Sequence, residues 1–115
     1  MITAPHLFVV YLGLTLVLEA PIYAALLRHR RWKERIIFWL AANLFSYPLV
    51  FYYFPYLDYS PLTCELLAEV WAPLCEIAVG AIILARFNRR DVVAIVVANL
   101  FSWQVGNLLY QLGAL

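Results

Sequence analysis

Charge is what this sequence has least of. Of its 115 residues only 13% are Asp, Glu, Lys or Arg, eight of them basic and seven acidic, while 66% are hydrophobic. A soluble domain of this length carries roughly twice that charge density. The shortage excludes a cytosolic enzyme and a disordered chain, and a mean hydropathy of +0.84 makes lipid the expected solvent. A net charge of +1 leaves no basic face of the kind that displaces counterions from nucleic acid, so no nucleic-acid partner is expected.

Cysteine and histidine are nearly absent as well. Cys64 and Cys75 share one apolar stretch at a spacing that puts them about 16 Å apart along a helix, too far to bridge each other, which excludes a disulfide-stapled secreted scaffold. The two histidines are His6 and His29, and no CxxC or HExxH spacing occurs, so no metal site is expected and no cofactor is required. No nucleophile stands beside a matched base, and no pair of catalytic aspartates can be placed, so the expectation is a protein that is not an enzyme.

What the sequence does have is four long apolar stretches, at about 7–27, 36–54, 64–85 and 92–112. Each is close to the ~20 residues that cross the hydrocarbon core as a helix. The fold class predicted is all-α, a polytopic membrane protein with four transmembrane helices in one membrane domain over residues 1–115. The opening MITAPHLF has no Lys or Arg ahead of its apolar run and no small-residue cleavage site after it, so the first stretch reads as a retained span and not a signal peptide.

Every Lys and Arg falls between spans one and two (Arg28, Arg30, Arg31, Lys33, Arg35) or between spans three and four (Arg86, Arg89, Arg90). The positive-inside rule then puts loops 28–35 and 86–91 in the cytoplasm and both termini outside, in a bacterial or archaeal cytoplasmic membrane. A lipid-binding or nucleic-acid patch is the alternative use of such clusters. The connection FYYFPYLDYSP and the residues Tyr11 and Tyr110 supply an outer aromatic belt. Ser60 before Pro61 reads as an N-cap and first-turn proline, so the third helix is expected to start there, with Glu65 near its favourable N-terminal dipole.

The segment ANLFS occurs at Ala42–Ser46 and again at Ala98–Ser102, followed each time by an aromatic residue. Glu19 lies 24 residues before Asn43 and Glu76 lies 23 before Asn99, with a basic loop between in both cases. The pattern predicts a duplicated two-helix hairpin, repeat 1 over 7–54 and repeat 2 over 63–113, joined by an outer loop at 55–62. An even number of spans per copy gives both copies the same orientation, a parallel repeat about an axis near the membrane normal.

Counted inward from the cytoplasmic ends, Glu19 and Glu76 fall about 13 Å deep and Asn43 and Asn99 about 10 Å deep. Ser46 and Ser102 follow on the same faces. An unsatisfied carboxyl in hydrocarbon costs several kcal/mol, so a Glu of one helix should pair with an Asn or Ser of its neighbour. With no Lys or Arg at that depth, both carboxyls are expected to stay protonated and donate hydrogen bonds. Such a layer is either a proton or cation site or polar glue between helices. Glu65, Glu69 and Glu76 share one helical face, so Glu65 and Glu69 are either an acidic access line from outside or plain headgroup-level carboxylates.

Small residues recur every fourth position at Ala94, Ala98, Ser102 and Gly106, and at Ala68, Ala72, Glu76 and Gly80. These stripes are expected to form the main helix contact, between spans three and four, or else a dimerisation face. Pro21, Pro48 and Pro73 are expected to interrupt their helices near the polar layer. Trp39, Trp71 and Trp103 read as lipid-facing or packing residues, with a pigment or quinone pocket as the alternative.

The segment LTLVLEAPIY, with its lone Glu in a first span of four, is similar to the small multidrug resistance transporters. The likeness covers about ten residues and implies Glu19 as a proton and substrate carboxylate. The chain departs from that family in its duplicated hairpin and in TCELLAEVWAPLCEIAVG, which lacks the family's third-span motif. From the residues, the first functional expectation is an accessory or assembly subunit or a homo-oligomeric packing module held by the Glu/Asn/Ser layer, as a homodimer or within a larger membrane complex. The alternative is a proton-linked small transporter or channel using Glu19 and Glu76.

Overall fold

The computed structural model describes residues 5–113, with side chains from Phe8 onward; the His6 side chain and residues 1–4 and 114–115 of the expected domain lie outside the description. Four helices fill this length: α1 Pro5–Leu26, α2 Trp32–Tyr52, α3 Pro61–Ile83 and α4 Arg89–Gln111, with a 3-10 turn at Phe54–Tyr56. Each is long and apolar enough to cross a membrane.

The helix starts follow from local chemistry. The Ser60 hydroxyl accepts from the Thr63 amide at 3.2 Å with Pro61 in the first position, as its N-cap role requires. At α4, Asn88 accepts from the Arg90 amide while Asp91 accepts from the Asn88 amide at 2.9 Å, a reciprocal cap that begins the helix before its apolar run. Charged first turns of this kind are why α2 and α4 start three or four residues ahead of the apolar stretches. Pro21, Pro48 and Pro73 do not interrupt the helices: α1, α2 and α3 run through them. Each proline withholds one amide donor, and the rest of the ladder holds the helix together.

Consecutive helices run antiparallel in a ring. α2 packs most extensively on α3 and α1 on α4, the α1–α2 and α3–α4 contacts are lighter, and the diagonal pairs lie across the middle. The expected principal seam between α3 and α4 is therefore replaced by α2–α3 and α1–α4. Ala68, Ala72, Ala94 and Ala98 are buried, as close packing wants. Gly80, however, lies against Phe87 and Phe38 of α2, and Gly106 has open space where a Cβ would stand.

The outside of the ring is apolar. Val17, Phe45 and Ile82 are 68%, 67% and 82% exposed, and large exposed apolar surface of this kind marks contact with lipid or a partner. Inside, the two halves differ. Toward the end carrying loops 27–31 and 84–88, here the basic end, Tyr23, Leu27, Phe38, Leu84, Ala94 and Ile95 form a packed core. Toward the opposite, aromatic end the ring encloses a cavity instead.

Candidate proton or cation site

The four-helix ring brings Glu19, Asn43, Ser46, Glu76, Asn99 and Ser102 together at the level where core gives way to cavity. Glu19 and Glu76 are each 1% exposed. Asn43 donates to Glu19 Oε1 at 3.1 Å, and Asn99 donates to Glu76 Oε1 at 3.2 Å. Ser102 donates to Glu19 Oε2 at 3.2 Å, and Ser46 donates to Glu76 Oε2 at 3.3 Å. Each carboxyl is thus held by the Asn of the helix that follows it and by the Ser of the other hairpin. Each Asn also donates backward along its helix, Asn43 to the Trp39 carbonyl at 2.9 Å and Asn99 to the Ile95 carbonyl at 2.8 Å, which fixes the amide orientation.

One partner breaks the match. Tyr23, 1% exposed, donates from its hydroxyl to Glu76 Oε1 at 2.7 Å, so Glu76 faces three donors where Glu19 faces two. Ser102 has a second outlet, the Asn99 carbonyl at 3.2 Å. A serine hydroxyl carries one proton, so it serves the Asn99 carbonyl or Glu19 Oε2 but not both. When it serves the carbonyl, its oxygen is free to accept a proton donated by a neutral Glu19.

Above this layer lies a cavity of about 390 Å³. Glu69, half-buried, and Glu65, exposed, both line it, and Glu65 Oε2 accepts from the Trp103 indole at 2.9 Å. Tyr11, Asn107 and Tyr110 line it toward the aromatic end. Glu65 stands about 16 Å along α3 from Glu76 and Tyr11 about 12 Å along α1 from Glu19, at the rise of an α-helix. The Glu65–Glu69–Glu76 line therefore faces the cavity, and the two belt tyrosines Tyr11 and Tyr110 are lining residues. Its volume falls in the range that small ligands occupy.

Three of the four tryptophans staple helices to their neighbours. Trp39 of α2 donates to the Leu16 carbonyl of α1 at 3.0 Å, Trp71 of α3 to the Ser46 carbonyl of α2 at 3.1 Å, and Trp103 of α4 to Glu65 of α3. Cys64 and Cys75 are both free thiols. Among the described residues no group of three His, Cys, Asp or Glu could hold a metal ion.

A second polar cluster closes the basic end. Arg30, 8% exposed, donates from Nε and Nη2 to the two oxygens of Asp91, both at 2.7 Å, and from Nη1 to the Ala85 carbonyl at 2.8 Å. His29 Nε2 lies 3.0 Å from the same carboxylate. The bonds to Asp91 push the Arg30 pKa above its ordinary value. This cluster ties loop 27–31 to the start of α4. In the sequence Arg30 and Asp91 stand only as loop charges, and Tyr23 and Asn107 carry no mark of a site; the one available signal is Asp91 three residues after the capping Asn88. Compared with protein-family models, curated proteins and solved structures, the chain shows no match.

Proposed function

We propose that this chain is a small integral membrane protein that takes protons, or a cation exchanged for them, from its aromatic end to Glu19 and Glu76. The observation that carries the reading is the cavity lined by Glu65 and Glu69 that ends on those two carboxyls, with a packed core beyond them. A polar layer that served only to hold helices would gain from being packed over, because empty space beside buried polar groups forfeits contacts. The positive-inside rule applied to the basic loops supports an orientation with the packed end in the cytoplasm and the aromatic end outside.

The hydrogen bonds suit one shared proton. Glu76, met by Tyr23, Asn99 and Ser46, has the surroundings of a carboxylate, while Glu19, beside a serine with an alternative acceptor, has those of an acid that binds and releases its proton. The matched partners of the two carboxyls also support the duplicated, same-orientation hairpin, with Glu19, Asn43 and Ser46 equivalent to Glu76, Asn99 and Ser102.

A second reading keeps support from the same bonds. All four carboxyl oxygens have partners within the chain, which fits a helix-packing module in a homo-oligomer or an accessory subunit. Glu→Gln separates the two, since it keeps the side chain's size, one acceptor oxygen and a hydrogen-bond donor but cannot exchange a proton. In vesicles holding a pH-sensitive dye, a potassium gradient with valinomycin should drive proton uptake above that of protein-free vesicles. Glu19→Gln, Glu76→Gln and the cavity-filling Gly106→Phe should each abolish it while folding normally. Flux equal to bare lipid for the wild type, or unchanged in both Gln variants, leaves the packing module as the function.

A further inference from the structure

A second cavity lies at the basic end, between the last turn of α1 and the first turn of α4. It measures about 770 Å³ and is lined by Arg28, His29, Arg89 and Arg90 over an apolar floor that includes Leu26 and Val93. The three arginines are exposed, and among the described residues their side chains make no ion pair. The acids that could neutralise them are already engaged. Asp91 is taken up by Arg30, His29 and the Asn88 amide, and Glu34 by Arg30 and the Arg31 amide. Three like charges thus surround one cleft with no counter-charge from the protein, an arrangement that concentrates anions.

The floor narrows the class of anion. Leu26 is 40% exposed and Val93 54% exposed, and both belong to the ends of apolar helices, the level at which hydrocarbon meets head groups. A ligand that satisfies arginines and apolar side chains in one cleft carries a phosphate and an alkyl chain together. Guanidinium groups suit phosphate oxygens through paired N–H donors, and basic pockets between spans on the cytoplasmic side are where anionic head groups collect. We propose that the cleft formed by Arg28, Arg89 and Arg90 between α1 and α4 binds the phosphate head group of an anionic phospholipid. The site needs the four spans but not the proton cavity, so it stands or falls separately from it.

Native mass spectrometry of the intact chain released from neutral detergent tests this with phosphatidylglycerol, phosphatidylcholine and inorganic phosphate as probes. The wild type should retain one phosphatidylglycerol and much less phosphatidylcholine. Each arginine near an anionic head group is worth roughly fivefold in binding, so Arg28→Gln/Arg89→Gln/Arg90→Gln should retain phosphatidylglycerol at least about tenfold less. The equally discharged Arg31→Gln/Lys33→Gln/Arg86→Gln should retain it as the wild type does. The single Arg90→Gln gives the same direction at smaller size if the triple variant does not fold. Equal loss in both triple variants would reduce the effect to net charge and overturn the site. Equal retention of the two lipids would overturn it too, and displacement of phosphatidylglycerol by excess inorganic phosphate would make the cleft a free-phosphate site instead.

Discussion

Arg30 and Asp91 offer the sharpest test of what holds the basic end shut. Their bidentate contact is short at both oxygens, and Asp91 is fully buried. Removing one partner of a buried pair leaves the other charge without compensation, typically a loss of about 3–5 kcal/mol. The two single changes should not be equal. In Arg30→Met the Asp91 carboxylate keeps only His29 and the Asn88 amide, so the cost should reach that full range of about 3–5 kcal/mol. In Asp91→Asn the guanidinium keeps the Ala85 carbonyl at 2.8 Å, the Arg86 carbonyl at 3.3 Å and Glu34 at 3.3 Å, which lowers the loss to about 2–4 kcal/mol.

Arg30→Met/Asp91→Leu removes both charges together. It should therefore cost at least about 2 kcal/mol less than the sum of Arg30→Met and Asp91→Leu, because neither charge is left alone. The assay is reversible unfolding by dodecyl sulfate in mixed micelles, followed by helix circular dichroism. If the two single costs add to within about 0.5 kcal/mol of the double, the residues are not coupled and the clamp has no energetic meaning.

Two further outcomes follow from the packing. Tyr23→Phe keeps the buried ring and deletes only the hydroxyl bonded to Glu76, so it should destabilise by about 1–2 kcal/mol in the same assay, near the upper end for hydrogen bonds between membrane helices; no loss would mean that the bond is not formed. A Cβ at Gly80 would stand 2.5 Å from Phe87 Cε1 and 3.1 Å from Phe38 Cε1, whereas at Gly13 nothing lies within 4 Å. Gly80→Ala should cost about 1–3 kcal/mol by overpacking and regain much of it with Phe87→Leu, while Gly13→Ala stays within about 0.5 kcal/mol of the wild type.

The parts of this molecule that were legible in the sequence are those set by solvent and by one helix at a time. Four helices long and apolar enough to span a membrane follow from four apolar stretches, and the start of α3 follows from Ser60 and Pro61. The polar layer was legible because a Glu or Asn in hydrocarbon must find a partner, and few partners exist at that depth. What could not be read was which faces meet. Small residues on α3 and α4 mark places for close approach without saying which neighbour approaches, and α2 and α1 turned out to be those neighbours. Tyr23 stayed hidden because, in an aromatic-rich chain, a tyrosine near a span's end reads as a belt residue. Arg30 and Asp91 stayed hidden because loop charges ordinarily face water, and only the turn at Leu27–Arg30 folds this pair inward.

The break in symmetry below the polar layer bears on what the cavity can do. On the duplicated-hairpin reading, Tyr23 and Gly80 are equivalent positions, each four residues after its Glu. Two tyrosines related by a twofold axis at a central seam would compete for the same space. With glycine at one of them, Phe87 and Phe38 close over the gap, and Tyr23 stands edge-on to Phe38 with ring centroids 5.5 Å apart. The result is an aromatic plug whose one polar atom, the Tyr23 hydroxyl, is bonded to Glu76. On the proposed function, a cation reaching the carboxyls from the cavity meets a floor attached to one of them. Passage toward the basic end would require Tyr23 to leave Glu76, and the change that most weakens that bond is protonation of Glu76, which replaces a charged acceptor by a neutral one. On the proposed function, Glu19, which has no tyrosine, receives the proton first, and its passage to Glu76 would be the event that releases the floor.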